Sequence, residues 1–281
     1  MYNIGIDIGA TNTKLVLLKG VKIIRKEKFS TPQERKKLIK ALESRINKIA
    51  DDFSKSKIKK IGIGVPSPLD KKRAFILDAP NLKYLTNFSL DKIVEKNLKI
   101  KTIMENDANC FTLAETVMGA GKGAKIVAGI TLGTGVGGGI VQDGKVIKGV
   151  FGSAGEFGFI TINFGSKFSI LDEYCSEKFF KRKKLYSKTL DDKAKKGDKK
   201  AKKVFEKYGK YLGIGLSNLI NILDPEVVVI GGGISKAHKF FMPSVKREIQ
   251  TNVLSPMSRK FVKIKIAKLK DFSGAVGAAL L

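Results

Sequence analysis

The sequence predicts an α/β protein built as two similar lobes with a cleft between them. Three observations carry this. Short apolar runs rich in β-branched residues alternate with longer segments of helical periodicity, the mark of sheets covered by helices. A stretch at the start of the chain returns 124 residues later: Gly5-Ile6-Asp7-Ile8-Gly9 aligns with Gly129-Ile130-Thr131-Leu132-Gly133, and Lys19-Gly20 with Asp143-Gly144. Both copies read as strand, glycine turn, strand and tight turn, so each lobe opens with the same hairpin.

The elements follow in order. After the first hairpin, Gln33 to Phe53 has Leu38, Leu42, Ile46 and Ile49 on one stripe and predicts an amphipathic helix. Ile61 to Val65 is a buried strand running into the stiff turn Pro66-Ser67-Pro68, and Pro80-Asn81-Leu82 is a second Pro-led turn. Ile100 to Met104 reads as a strand and Ala108 to Val117 as a helix. Asn106 and Asp107 then stand at a strand's carboxyl end, where open α/β sheets receive ligands. In the second half, Val204, Tyr208, Leu212, Leu216, Leu219 and Leu223 mark a long packed helix. Glu226 to Ile230 is an apolar strand, followed by Gly231-Gly232-Gly233-Ile234-Ser235 and another helix. Ser273 to Leu281 reads as a helix of small residues capped by Ser273.

Two phosphate-binding motifs are excluded by context. Gly133-x-Gly135-x-x-Gly138 fits the dinucleotide fingerprint, but that loop must open a helix. Here Gly139-Ile140-Val141 leads to Asp143-Gly144, a hairpin signal, so the loop joins strand to strand. No GxxxxGK[ST] follows a strand. What remains is a pair of glycine turns, one per lobe, whose successive N–H groups suit an extended anion such as a nucleoside triphosphate. Thr11, Thr13 and Thr134 add hydroxyl donors. An acid, Asp7, beside the first such turn calls for a cation partner.

Composition narrows the class. Of 281 residues, 43% are hydrophobic, enough to form a large core. No apolar run reaches the roughly 18 residues of a membrane span, and no basic-then-apolar leader is seen, so a soluble cytoplasmic protein is expected. Cys110 and Cys175 are far apart and read as buried thiols, and the one histidine, His238, as a surface residue at a helix start. The formal charge of +28 suggests polyanions. Yet the bases are mostly lysines spread along the chain, without the arginine forks or aromatic interleaving of a nucleic-acid binder. The densest stretch, Lys178 to Lys203, reads as a solvated face that would also attract acidic ligands such as polyphosphate.

Taken together these residues resemble the ROK family of sugar kinases, within the actin-like ATPase (ribonuclease H-like) superfamily. Asp7 to Lys14 resembles the first phosphate motif, Gly133 to Gly137 the second and Gly231 to Ser235 the adenosine motif. Glu105 to Asn109 resembles the catalytic motif, and Gly155-Glu156-Phe157-Gly158 part of the sugar motif. The resemblance implies an N-terminal lobe over residues 1–117, joined by a returning helix over 272–281, and a second lobe over 118–271. It implies transfer of phosphate from ATP to a hexose hydroxyl, glucose foremost, and a homodimer. Asp107 would be the general base, ionised with an ordinary pKa near ~3.9. Asn81, Asn106, Glu156, Asp172 and Ser67 would bind the sugar. Gly9, Thr11, Asn12, Thr13, Lys14, Gly133, Thr134, Gly135, Gly137, Gly231, Gly232 and Gly233 would bind the nucleotide, with Asp7 on its Mg²⁺.

The pattern breaks at one place. The family usually has Gly-His after its Glu-x pair and then Cys-x-Cys-Gly-x-x-Gly-Cys-x-Glu, a histidine and three cysteines that hold zinc. Here Phe159 takes the histidine's place, and no cysteine precedes Cys175 in a shortened segment, so no structural zinc is expected. Phe159, Phe164 and Phe168 are expected to pack in its stead. The family's second glutamate falls at Asp172 or Glu173. Alternatives to an ATP-dependent glucokinase are a polyphosphate-using glucokinase or glucomannokinase, a kinase for fructose or an N-acetylhexosamine, and a non-catalytic sugar sensor. The sensor is disfavoured by a first strand that begins near Tyr2.

Overall fold

A computed structural model describes residues 1–51, 55–70, 72, 75–163 and 168–281. Strands β1 (Tyr2–Ile8), β2 (Asn12–Lys19), β3 (Lys22–Ser30), β4 (Ile58–Val65) and β5 (Thr102–Asn106) form one sheet, in the order β3-β2-β1-β4-β5. Strands β6 (Ile126–Leu132), β7 (Val136–Gln142), β8 (Lys145–Val146), β9 (Val227–Gly231) and β10 (Lys263–Ile266) form the other, in the order β8-β7-β6-β9-β10. The two orders are the same topology. Moving β1 along by 124 residues lands on β6 at both ends, so the internal repeat in the sequence is a repeat in space. The copies diverge at the third strand: β3 has 9 residues and β8 only 2, after which the chain leaves the sheet toward Glu156.

Helix α1 (Arg35–Ala50) buries the predicted stripe Leu38, Leu42, Ile46 and Ile49 against Ile4, Ile6 and Ile8 of β1. It stops short of the predicted Phe53, which lies outside the described residues. Helix α2 (Leu90–Leu98) covers the same side through Leu90 and Val94. The second lobe carries the short helices α4 (Leu171–Cys175), α5 (Glu177–Lys181) and α6 (Ser187–Lys195), then α7 (Lys199–Leu223), α8 (His238–Asn252) and α9 (Pro256–Phe261). Its core is aromatic, with Phe180, Phe205, Tyr208 and Phe241 buried together; Tyr208 stacks on Phe180 with ring centroids 5.3 Å apart.

Two helices lie between the sheets. Helix α3 (Asp107–Val117) packs on β6 and β7 of the second sheet, and α10 (Ser273–Leu280) on β1, β2 and β4 of the first; the two also pack on each other. Glycines make this possible. Gly5 and Gly62 are side by side in the β1–β4 register. A Cβ on Gly5 would lie 1.9 Å from the Ala275 carbonyl oxygen, and one on Gly62 1.8 Å from that of Ala278. Gly129 and Gly139 are paired in the same way between β6 and β7. A Cβ on either would meet Thr112 Oγ1 of α3, at 2.1 Å and 2.7 Å. Between the helices, a Cβ on Gly277 would come within 1.7 Å of the Cys110 carbonyl oxygen.

These contacts leave no room for a methyl group, and overpacking of this kind costs about 2–3 kcal/mol. Gly62→Ala and Gly277→Ala are each expected to lower stability by about that amount, read as a fall in the urea midpoint at unchanged slope.

Candidate active site

The site is assembled from the ends of the central strands of each sheet and the first turn of α3. Asp7 ends β1 facing Lys14 of β2, its direct partner in register, with Nζ 3.4 Å from Oδ2. The turn between them is closed by the Gly9 amide donating to the Asn12 carbonyl oxygen at 3.1 Å. It is braced from the end of β3, where Thr31 donates through Oγ1 to Gly9 O at 2.7 Å and through its amide to Thr11 O at 2.9 Å. Thr11 is left exposed and Asn12 half-buried at the turn. Thr13 is placed otherwise than expected: it alternates inward on β2, is fully buried, and its hydroxyl meets Thr31 Oγ1 at 2.9 Å. It holds the turn from behind and offers a ligand no donor.

Asp107 is the first residue of α3. Asn106 is the helix cap, its Oδ1 accepting from the amides of Ala108 and Asn109 at 2.9 and 3.1 Å. Asp107 Oδ1 also accepts from the Ala108 amide at 2.8 Å. Glu105, fully buried, accepts from the Asn106 amide at 2.9 Å and from Asn109 Nδ2 at 3.0 Å, so the whole strand-to-helix turn is tied down. Burial pushes the Asp107 carboxyl up to about 7, and the charges of Asp7 and, less strongly, Glu156 add to this against the Ala108 hydrogen bond. An ordinary carboxylate value near ~3.9 therefore does not hold for the ligand-free protein. The same coupling brings Asp7, Asp107 and Glu156 into one electrostatic site. Burial raises the Asp7 carboxyl as well, against the pull of Lys14.

The second turn, Gly133-Thr134-Gly135, closes with the Gly133 amide on the Gly135 carbonyl oxygen at 3.0 Å and leaves Thr134 and Gly135 exposed. Asp172 braces it, Oδ1 accepting from the Val136 amide at 2.6 Å while Oδ2 pairs with Lys178 at 2.8 Å. Both carboxylate oxygens of Asp172 are thus engaged within the protein, away from the sugar role expected of it. Glu173 is likewise held by Lys178 at 2.9 Å and by Arg182. Gly137 is absent from the turn: its Cα faces Thr131 and Ala108, where a Cβ would meet Oγ1 at 2.8 Å and Cβ at 3.1 Å, so it serves the seating of α3. In the third glycine segment, Gly232 has φ +85° and lies against the Leu132 backbone, Gly231 packs on the Phe111 ring, and Gly233 is exposed with open space around it.

The remaining expected sugar ligands divide. Glu156 and Asn81 are exposed, Asn81 on a turn anchored by buried Ala79 and Leu82. Ser67 is buried, its Oγ donating to Pro68 O at 2.8 Å and accepting from the Asp78 amide at 3.2 Å. Its carbonyl oxygen accepts from Asn106 Nδ2 at 3.4 Å. Ser67 therefore shapes the loop around the Asn106–Asp107 turn. The expected aromatic staple is also different. Phe159 is 70% exposed, Phe164 lies outside the described residues, and Phe168 stacks under Arg182, whose guanidinium is 4.3 Å from its ring centroid. Arg182 also binds Glu173 through its side chain and carbonyl oxygen, so one guanidinium closes this segment. Among the described residues, no three His, Cys, Asp or Glu side chains group as metal ligands.

Sequence reading missed Gly274. A Cβ there would lie 2.7 Å from Asp7 Cγ, so the start of α10 backs directly onto the Asp7 carboxylate. The run SGAVGAAL was the available signal, since small residues permit close backbone approach.

A duplicated α/β chain with two glycine turns facing an aspartate-bearing cleft has the actin-like ATPase fold. It belongs to the ROK family, whose family model matches residues 3–281. A glucokinase of Halalkalibacterium halodurans is 32% identical over 316 aligned positions, covering 100% of this chain and 94% of that protein. A xylose repressor of Caldicellulosiruptor bescii is 29% identical, covering 98% of this chain and 76% of the repressor. A ROK family glucokinase from Streptomyces griseus, solved with glucose and AMPPNP, superposes with a TM-score of 0.85 at 26% identity, covering 99% of this chain and 98% of that one. No helix among the described residues is long and apolar enough to cross a membrane.

Because the folded Asp107 binds its proton more tightly than the unfolded chain does, its contribution to stability is full at low pH and is lost as pH rises toward about 7. Asp107→Asn removes that loss. Relative to wild type, the variant should gain about 1–2 kcal/mol between pH 5 and pH 8 in ligand-free urea unfolding, after discounting for solvent screening.

Proposed function

We propose that this chain is a sugar kinase that transfers the γ-phosphate of ATP to a hexose hydroxyl, glucose foremost, with Asp107 as general base. The observation that supports this best is Asp107 itself: a carboxylate fixed on a helix N-terminus, in the same site as Asp7 and Glu156, with its pKa raised to about 7. Oδ1 is engaged by the Ala108 amide, which leaves Oδ2 to receive a proton. The sugar O–H bond gives its proton to Oδ2, the oxygen bonds to the γ-phosphorus, and the bond to the β-phosphate oxygen breaks to release ADP. A base with a pKa near the working pH suits this task.

The other roles follow from what the fold leaves open. Glu156, Asn81 and the second N–H of Asn106 Nδ2, whose first is donated to Ser67 O, are available for sugar hydroxyls. The turns at Gly9–Asn12 and Gly133–Gly135 hold phosphates, and Gly233 borders the nucleoside. Asp7 fits Mg²⁺, which binds through one or two carboxylates and keeps its waters, because Asp7, Asp107 and Glu156 bring excess negative charge to one site. Bound there, the ion would neutralise phosphate charge. A second donor is favoured by one contact. The Glu177 amide donates to the Gly133 carbonyl oxygen at 2.8 Å, so the lysine-rich stretch over 178–203 begins against the second turn and could guide inorganic polyphosphate.

Two measurements test the reading. With ATP and with polyphosphate as donors, a panel of hexoses, N-acetylhexosamines and fructose should show turnover, and kcat/KM should rise with pH through an apparent pKa near about 7. Asp107→Asn should lose ~10²–10⁴-fold in kcat while calorimetry still shows nucleotide and sugar binding. A wild-type protein inert toward every sugar, or a variant with near-normal turnover, would refute the assignment.

A further inference from the structure

Behind the catalytic turn, the last turn of α3 carries a second carboxylate that the chemistry above does not use. Glu115 is fully buried. Its Oε2 accepts from the amides of Ala120 at 2.8 Å and Lys268 at 3.0 Å. Its Oε1 accepts from the amide of Leu269 at 2.8 Å and, at 3.2 Å, shares the Ser273 hydroxyl proton with the Lys270 carbonyl oxygen, which lies 2.8 Å from Oγ. The donors come from both places where the chain passes between the lobes. Ala120 lies on the way out from α3 to β6, and Lys268 and Leu269 on the way back from β10 to α10. Gly119 makes room for this, since a Cβ there would stand 2.0 Å from Oε2.

The same carboxylate reaches both halves of the catalytic site. Eight residues separate Glu115 from Asp107 on one helix, a rigid span of about 12 Å. On its other side Glu115 binds Ser273, and the next residue, Gly274, backs onto Asp7. A second tie between the lobes, Glu105 to Lys148 at 3.2 Å, ends on a half-exposed lysine that water can replace. The buried four-donor site cannot be exchanged in that way.

We propose that Glu115 is the pivot of the two lobes: a positioning residue that pins both crossings at one point while the cleft opens and closes, and so keeps Asp7 and Asp107 in register. It acts through α3 and α10 and touches no substrate. The proposal rests on the kinase reading for its effect on turnover, but its effect on shape does not. In Glu115→Gln one acceptor oxygen becomes an NH₂ donor facing donors, at unchanged volume. The variant should bind glucose and AMPPNP more weakly by calorimetry, because binding no longer gains from closure, and lose at least tenfold in kcat measured at saturating ligands. It should also lose most of the decrease in radius of gyration that wild type shows by small-angle scattering on adding glucose with Mg-AMPPNP. Ser273→Ala, which removes one donor of the four, should fold even if Glu115→Gln does not, with a smaller loss of kcat and a weaker compaction.

A variant that only melts earlier, with kcat and compaction unchanged, overturns the pivot. A wild type that turns over sugar without compacting overturns the pivot and leaves the kinase reading standing. A wild type that compacts on ligand without turning over overturns the kinase reading and leaves the pivot to be judged by scattering alone.

Discussion

Everything in this fold depends on two helices lying flat against two sheets whose glycines leave room for them: α10 meets its sheet backbone to backbone, and α3 meets its sheet through Thr112 at the paired glycines. The contact of α10 with β1 and β4 is possible because Gly5 and Gly62 are paired in register, and that of α3 with β6 and β7 because Gly129 and Gly139 are. Sheets and helices normally keep about 10 Å apart because side chains fill the space. Removing those side chains lets the inner helices sit so close that their ends join the edge of the sheets where Asp7 lies. Asp107 at the start of α3 then meets Asp7 at the end of β1, although the two belong to different layers. A methyl group at any of these glycines would shift a helix, and with it the carboxylates at the site.

The electrostatics follow from that closeness. Burial and the negative charges of Asp7 and Glu156 resist ionisation of Asp107, and its backbone hydrogen bonds do not offset them. The ligand-free site is therefore a strained arrangement of acids. Such strain is tolerated where catalysis needs it, and the surrounding structure carries the cost. The surroundings are visible: Asn106 caps the helix, Glu105 ties the turn, and Asp172 holds the opposite loop. Each of these polar groups holds a backbone amide of one of the two loops in place.

What was legible in the sequence was whatever local pattern determines. The repeat at constant offset gave both hairpins, and the leucine and isoleucine stripe gave the helix that becomes α1. The strand-to-helix turn at Asn106 and Asp107 was legible because a helix start has its own residue code. The pKa of Asp107 was not, because desolvation depends on what three distant segments bring together. Asp172, Ser67 and Thr13 were misread for the same reason. A polar side chain near a motif looks the same in sequence whether it faces a ligand or braces the loop behind it, and only burial separates the two cases. Gly137 shows the converse, a glycine inside a motif whose purpose is to admit a helix.

The duplication also explains why the site is one-sided. The position equivalent to Asp7 in the second copy is Thr131, whose Oγ1 sits against Gly137. A second carboxylate there would add negative charge to a site that already holds Asp7, Asp107 and Glu156, and would push Asp107 still further toward its neutral form. On the proposed reading, an extended anion held by two glycine turns would need a cation at one end only. One copy of the device has therefore kept its acid, and the other carries a hydroxyl in its place. The shortened β8 belongs to the same asymmetry, since the chain that leaves the second sheet early is the chain that delivers Glu156 to the cleft.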